Sequence, residues 1–364
     1  MAVPMDTLWP IEAHTAAKHQ ILRKYIDAWL PILSTYNQRV MYVDGFAGPG
    51  EYLRGEPGSP LIALDAALSH QATLAKELVF EFIEERKDRV EHLNACIAKL
   101  GLPPSVRVRV LQATFAATMM GFLDDADARH QQFPPTFVFI DPFGFSGIPY
   151  ALIKRLLLKP RAEVLVNFMV DSINRFLAHP DMNITDHIVE AFGTRDALKI
   201  ANGPARVDAL KNLYHERLRL IAHFVRHFEI RDTDNRIQYY LFFASNNSLG
   251  HVRMKEAMWK VDPMGEFSFS DATDASQLLL FTSPTTTPLC DALVHKFQGR
   301  GQLPIKTVLE YVNDETAYIK RHMGEVLQEL ETQQRVTIAP LKQDGKKRRA
   351  RSYPDNALIT FEQE

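Results

Sequence analysis

Three short stretches of this 364-residue chain carry side chains whose types and spacing can do chemistry. The first, Asp44-Gly45-Phe46-Ala47-Gly48-Pro49-Gly50, follows the apolar run Val40-Met41-Tyr42-Val43. Glycines in such a turn let the backbone approach a ligand and adopt positive φ, and a carboxylate at its start can accept from an amine. The second, Asp141-Pro142-Phe143-Gly144, follows the uncharged run Phe137-Val138-Phe139-Ile140. There an Asp oxygen and a Pro carbonyl can accept hydrogen bonds from an amine and orient its lone pair, while an aromatic ring stacks on a planar group. The third is basic: residues 342–351 hold six Lys/Arg and one Asp, net +5 in a chain of net charge −2, which leaves −7 for the rest. Lys346, Lys347, Arg348, Arg349 and Arg351 can each neutralise a phosphate, giving salt-dependent and mostly sequence-independent affinity for DNA or RNA. Glu84 closes a further apolar run, although Glu85 beside it leaves the register open.

The pattern around these stretches predicts the elements that hold them. Through residue 275, apolar runs alternate with helix-period segments, the signature of an α/β domain with a mostly parallel sheet covered on both faces. A helix is expected from His14 to Leu33, and another at Ser59-Pro60, with Ser59 as cap and Pro60 in the first turn. The run Val106 to Leu111 alternates with Arg107 and Arg109, as an edge strand does, and Phe137–Ile140 reads as the sheet's centre. Residues 171–225 read as a helical insertion, followed by an antiparallel hairpin of 228–230 and 237–244. A Ser/Thr/Pro/Asp-rich stretch makes 276–288 a linker. Residues 289–364 then show three short helices and two strands flanking the basic run, the order of a winged helix-turn-helix with Lys320 and Arg321 near the start of its recognition helix.

Several classes are disfavoured by the same residues. Phe46 stands where a dinucleotide fingerprint needs its first glycine, and no G-K-[ST] follows, so dehydrogenase and P-loop readings fail. The two cysteines, Cys96 and Cys290, cannot build a disulfide scaffold, and a reducing cytoplasmic setting is the simplest expectation. No apolar run is long enough to span a membrane, and the N-terminal stretch lacks the pattern of a secretory signal. His223 and His227 have the spacing of a helical metal pair but no third ligand, so no metal is expected; they read as a polar helix face. Trp259, Met254 and Met258 read as core.

The D-x-F-A-G-x-G turn resembles motif I of class I S-adenosylmethionine-dependent methyltransferases, and D-P-F-G resembles the (D/N)-P-P-(Y/F) motif of those that modify exocyclic base amines. The first resemblance implies a Rossmann-like class I methyltransferase fold, with a mostly parallel seven-stranded sheet. Asp44, Gly45, Phe46, Gly48, Gly50, Ser59 and Glu84 would then hold S-adenosyl-L-methionine. Gln112 and Thr114 stand where many such enzymes carry an acidic residue for the adenine amine. The second resemblance implies Asp141, Pro142 and Phe143 as the catalytic group, with the aromatic place displaced by Gly144. VDGFAGPGEY, GEPGSPLIAL, FIDPFGFSGIP and YYLFFASNNSLG together are similar to the three-Cys-motif partner family over about residues 14–262. That likeness implies a partner protein carrying three cysteines, and makes Gly58-Ser59-Pro60 and Asn246-Asn247 candidates beside the sheet's C-terminal edge. The expected activity is methyl transfer to a base amine of a nucleic acid; the rival is a non-catalytic adaptor working with that partner.

Overall fold

Residues Val40 to Asp44 are buried without interruption because both faces of the strand they form are covered. In the computed structural model, which describes residues 4–71, 74–265, 267–270 and 285–362, the chain divides into two compact units. The first runs to Asp262 and takes in 267–270; the second holds 263–265 and 285–362.

The first unit begins with α1 (Ala13–Tyr36) and β1 (Arg39–Asp44), then α2 (Ser59–Leu68), β2 (Glu77–Glu84), α3 (Lys87–Ile97), β3 (Val106–Gln112), α4 (Phe115–Ala128) and β4 (Thr136–Ile140). There follow α5 (Tyr150–Leu157), β5 (Ala162–Phe168), α6 (Val170–Phe176), α7 (Met182–Phe192), α8 (Arg206–Arg219), β6 (Phe224–Arg231), β7 (Ile237–Ser245), α9 (Ser248–Val261) and β8 (Ser268–Ser270). One sheet runs in the order β3-β2-β1-β4-β5-β7-β6-β8. Strands β1 to β5 are parallel, and β7 enters antiparallel to β5 and β6. This is a Rossmann-like α/β sheet with eight strands rather than the expected seven, because Ser268–Ser270 pairs parallel to β6.

Alternation along the strands sends side chains to two apolar layers. Tyr42, Phe137 and Phe139 meet Ile21, Leu22 and Tyr25 of α1, Leu64 of α2 and Met258 of α9. Met41, Val43 and Val138 meet Phe115 and Met119 of α4, Leu152 and Leu156 of α5, and Leu210 of α8. Each such side chain, fully buried, is worth about 1.5–3 kcal/mol of transfer free energy. Met254, Met258 and Trp259 are buried as core, as their spacing suggests.

Four expectations need correction. The helical segment after β5 ends at Arg219, not 225, and the hairpin starts at Phe224. His223 therefore precedes a strand and His227 lies within it, so they share no helix face. Ser59 is the first residue of α2 rather than its cap: Gly58 caps the helix and no side chain bonds there. Asn246-Asn247 lies at the opposite edge from the one expected, because β7 runs antiparallel and its Ser245 pairs with Glu163 near the start of β5. Both asparagines are structural there. Asn247 accepts from Gly250 N to cap α9, and Asn246 accepts from His223 N and donates to the Leu157 carbonyl.

The second unit contains α10 (Thr287–Phe297), β9 (Leu303–Pro304), α11 (Ile305–Glu315), α12 (Lys320–Thr332), β10 (Val336–Lys342) and β11 (Ala357–Phe361). Its antiparallel sheet has the order β10-β11-β9. Leu289, Leu293, Val308, Met323, Leu327 and Ile359 build a separate core. Helix α10 begins inside the expected linker, whose residues 276–284 lie outside the described residues. Among the described residues no helix is long and apolar enough to cross a membrane.

Candidate functional site

Strand β1 lies between β2 and β4, and the chain leaves β1 toward one apolar layer through α2 and leaves β4 toward the other through α5. Such a switch point opens a crevice beyond the carboxyl ends of the strands, where ligands of open α/β sheets bind. Asp44 pairs in register with Phe139, and Gly45 N donates to the Phe139 carbonyl at 2.9 Å, so the two motifs meet at this crevice. A cavity of about 440 Å³ opens there, lined by Phe46, Gly48, Gly50, Ser59 and Asp141–Phe143 of the expected set.

The turn is held open by its glycines. Gly48 has φ +63° and Gly50 φ +93°, a region that L side chains rarely adopt. A Cβ on Gly48 would meet only Trp9, at 3.8 Å, so the space beside its Cα is open. A Cβ on Gly50 would strike Leu93 Cδ1 of α3 at 2.7 Å, so that glycine lets the turn rest on the helix.

Asp44 lies immediately behind the cavity wall and is fully buried. Burial pushes its carboxyl up to about 7; the Ser59 hydroxyl and the Phe46 N–H oppose this, while Asp141 and Glu84 add to it. Phe46 N reaches Oδ1 at 3.3 Å, while Oδ2 makes no well-formed hydrogen bond, and only the hydroxyls of Ser59 and Tyr42 act on the carboxyl from nearby side chains. A buried carboxylate oxygen left unpaired is costly, and a cationic amine is the partner that would relieve it. Ser59 and Phe46, the two groups that lower the Asp44 pKa, belong to the cavity lining.

Asp141 follows β4 and is already paired. Lys18 Nζ of α1 lies 2.5 Å from Oδ2, and Asn167 Nδ2 of β5 lies 2.6 Å from Oδ1. Lys18 is 5% exposed, so this ion pair is largely shielded from water. Asn167 Oδ1 has no partner. Beside it His19 lines the cavity with Nδ1 unpartnered, and burial together with Lys18 lowers its pKa to about 3, which keeps the ring neutral. Phe143 sits edge-on to Trp9 with ring centroids 5.6 Å apart, and the Arg89 guanidinium lies over both rings.

The remaining cofactor candidates lie off the cavity wall. Glu84 ends β2, but its Oε2 accepts from Gly48 N at 3.0 Å and its Oε1 from Arg86 N at 2.9 Å, so it ties the glycine turn to the sheet. Gln112 is exposed at the end of β3. Thr114 is exposed too and caps α4, accepting from Ala117 N. Neither lines the cavity.

Sequence reading missed Lys18, His19, Asn167 and Trp9. Lys18 and His19 sit on a helix expected only to pack, and both are adjacent polar residues on its buried side. Asn167 carried a signal: it is the one polar side chain in the interior of the otherwise apolar run of β5 that follows Glu163. Trp9 belongs to an N-terminal strap, whose Pro4 and Met5 carbonyls accept from Arg86, with Arg89 also bonding Pro4.

In the second unit, Lys346, Lys347, Arg349 and Arg351 are exposed on the loop between β10 and β11. Arg348 is withdrawn from them: it pairs with Glu331 at 2.6 Å, donates to the Ser352 carbonyl and is 10% exposed, so it serves the hairpin rather than an external phosphate. Lys320 pairs with Asp355 and Arg321 with Glu325, both at the surface.

No protein-family model matches this chain, and no curated protein matches it. Among solved structures it is similar to an O-methyltransferase from Bacillus cereus in complex with SAH, at 12% identity over 65% of this chain and 82% of that one, with TM-score 0.35. It is also similar to human methyltransferase-like protein 13 in complex with SAH, at 11% identity over 74% and 98% of the two chains, TM-score 0.36. A Legionella pneumophila protein of family-model DUF519 gives 12% identity over 69% and 95%, TM-score 0.36. Likenesses this loose carry nothing about chemistry, which rests on the cavity's own residues.

Proposed function

We propose that the first unit is an S-adenosylmethionine-dependent methyltransferase acting on an exocyclic base amine of a nucleic acid. The observation that carries this reading is Asp44, a fully buried carboxylate with an unpartnered oxygen behind a glycine turn at the sheet's switch point. When bound, S-adenosylmethionine supplies an electrophilic methyl group. Asp44 takes the ammonium of its methionine end, and the open backbone of Gly48 lies against that end. Glu84 holds the turn and keeps lone pairs for ribose hydroxyls. Asp141 and the Pro142 carbonyl orient the target amine, which sheds its proton to solvent after attack, while His19 stays neutral on the cavity wall.

The second unit, read as a winged helix with α11 and α12 as the helix-turn-helix pair, brings nucleic acid through Lys346, Lys347, Arg349 and Arg351. A non-catalytic adaptor, working beside a three-cysteine partner protein, is favoured by one specific feature: Lys18 and Asn167 already occupy both oxygens of Asp141. Calorimetry with S-adenosylmethionine, followed by label transfer from the methyl-labelled cofactor to DNA and RNA, separates the two. The enzyme reading expects one site per chain, weakened by Asp44→Ala, and label incorporation abolished by Asp141→Ala with cofactor binding retained. Binding without label on either nucleic acid overturns the enzyme reading, and no binding at all, with nucleic acid present, leaves the adaptor, which needs no cofactor.

A further inference from the structure

Behind the glycine turn, on the side facing α3, three donors of different chemistry converge. His92 and Cys96 lie four apart on one face of α3, and Glu51 follows Gly50 directly. One ligand atom from each lies within 4.8 Å of the other two. Cys96 Sγ is 3.5 Å from His92 Nδ1, and His92 Nε2 is 3.5 Å from Glu51 Oε1. Sulfur, nitrogen and oxygen ligands around a tetrahedral zinc ion, with bonds of about 2.0–2.3 Å, stand roughly 3.3–3.8 Å apart. His92 Nε2 and Glu51 Oε1 already have that spacing, and the Cys96 thiol, now nearest Nδ1, has to turn toward Nε2 to complete it.

A nucleophilic Cys–His–Glu arrangement does not fit. His92 Nδ1 lies 2.9 Å from the Pro49 carbonyl, an acceptor, so that nitrogen carries a proton and cannot take one from the thiol. The same contact suits a metal ligand, because a ligating imidazole usually donates its other ring N–H to a carbonyl or carboxylate. Access is also right: the His92 and Glu51 side chains are 28% and 30% exposed, while Cys96 is buried behind them. An ion can enter past the first two and close on the third.

We propose that Glu51, His92 and Cys96 bind one zinc-class divalent ion, which staples the glycine turn to α3. Pro49, Gly50 and Glu51 also line the 440 Å³ cavity, so the ion fixes one wall of it. Thiolate and imidazole together favour zinc or cobalt over magnesium or calcium. The proposal concerns the metal alone and holds whichever ligand the cavity takes.

The test is titration of the reduced, chelator-treated full chain with Co²⁺, followed by displacement with Zn²⁺. One Co²⁺ per chain is expected, with tetrahedral visible bands, a near-ultraviolet sulfur-to-cobalt charge-transfer band, and a melting temperature raised by either metal. Cys96→Ser should abolish the charge-transfer band, and His92→Gln, which removes a ligand, should weaken binding by more than the roughly ten- to hundredfold that loss of an outer-shell partner costs. Cys290→Ser, in the second unit, should change neither. Absence of the band in the parent chain, or its loss in Cys290→Ser instead of Cys96→Ser, overturns the proposal. Should Cys96→Ser not fold, His92→Gln and Glu51→Gln decide it, and undiminished affinity in both overturns it as well. Asp44→Ala must still bind cobalt, which keeps failure of this site distinct from failure of the cofactor reading.

Discussion

Asp44 and Asp141 invite comparison, because each follows a central strand of the same sheet and the strands are neighbours. Asp44 is fully buried, has an oxygen without a partner, and its carboxyl is pushed up to about 7. The Asp141 side chain is 19% exposed, and both its oxygens are bonded. The difference comes from what neighbouring elements offer. Helix α1 sends a lysine to Asp141 and β5 an asparagine, whereas Asp44 meets only backbone N–H and the hydroxyls of Ser59 and Tyr42, with no cation. One carboxylate already holds its cation and the other lacks one, so position after a strand does not by itself assign a role.

The largest effect expected from breaking this contrast is Lys18→Met. It strands the Asp141 carboxylate without its cation, and loss of one partner of a shielded ion pair costs about 3 kcal/mol. Urea unfolding should show that loss, and Lys18→Met with Asp141→Asn together should recover most of it. A double-mutant cycle with no coupling between the two sites would mean the pair contributes nothing.

Next in size is Asp44→Asn. If the unpartnered oxygen receives a ligand's ammonium, the amide should weaken S-adenosylmethionine binding roughly a hundredfold, the scale of a lost charged hydrogen bond. The same substitution removes a buried charge, so it should raise the melting temperature at pH 8. Weaker binding with higher stability is the signature of a functional carboxylate; loss of both would make Asp44 a structural group.

Much of this was legible in the chain. Both motifs, the order of strands β1 to β5 and the two short helices α11 and α12 follow from apolar runs and helix-period spacing. Seven strands became eight because Ser268–Ser270 is a three-residue edge strand without an apolar run. Asn246-Asn247 was placed at the wrong edge because strand direction is a property of pairing, which local spacing does not encode. Lys18 escaped notice for a related reason: its partner lies 123 residues away, and only the packing of α1 over β4 brings the two charges together. Arg348 looked like its basic neighbours until the hairpin folded it back onto Glu331.

The pH dependence of binding is a smaller effect and separates the two carboxylates directly. A carboxyl raised from 3.8 to about 7 keeps its proton in the folded chain while the unfolded chain has lost it. Its contribution to stability is therefore fully present below about pH 4 and is lost as pH rises through 7. A cationic ligand needs the ionised form, so affinity should fall up to about tenfold per unit below pH 7. Calorimetry at pH 6 in buffers of different ionisation enthalpy should show release of about one proton per ligand. Proton uptake, or none, would mean that Asp44 does not meet the ligand's charge.

The smallest effect, and the most discriminating, belongs to Ser59→Ala. Ser59 begins α2 but makes no cap, so the alanine leaves the start of the helix unharmed. Its hydroxyl does act on Asp44, holding the carboxyl lower than burial alone would. Removing it should move the midpoint of the binding pH profile upward by on the order of half a unit, well under 1 kcal/mol. The oxygens of Asp141 are bonded by Lys18 and Asn167, not by that hydroxyl, so urea stability at pH 8 should hardly change. A shifted pH profile at constant stability would tie the cavity's pH response to Asp44 alone. An unshifted profile with lower stability would make Ser59 a residue that serves the start of α2 and not the cavity.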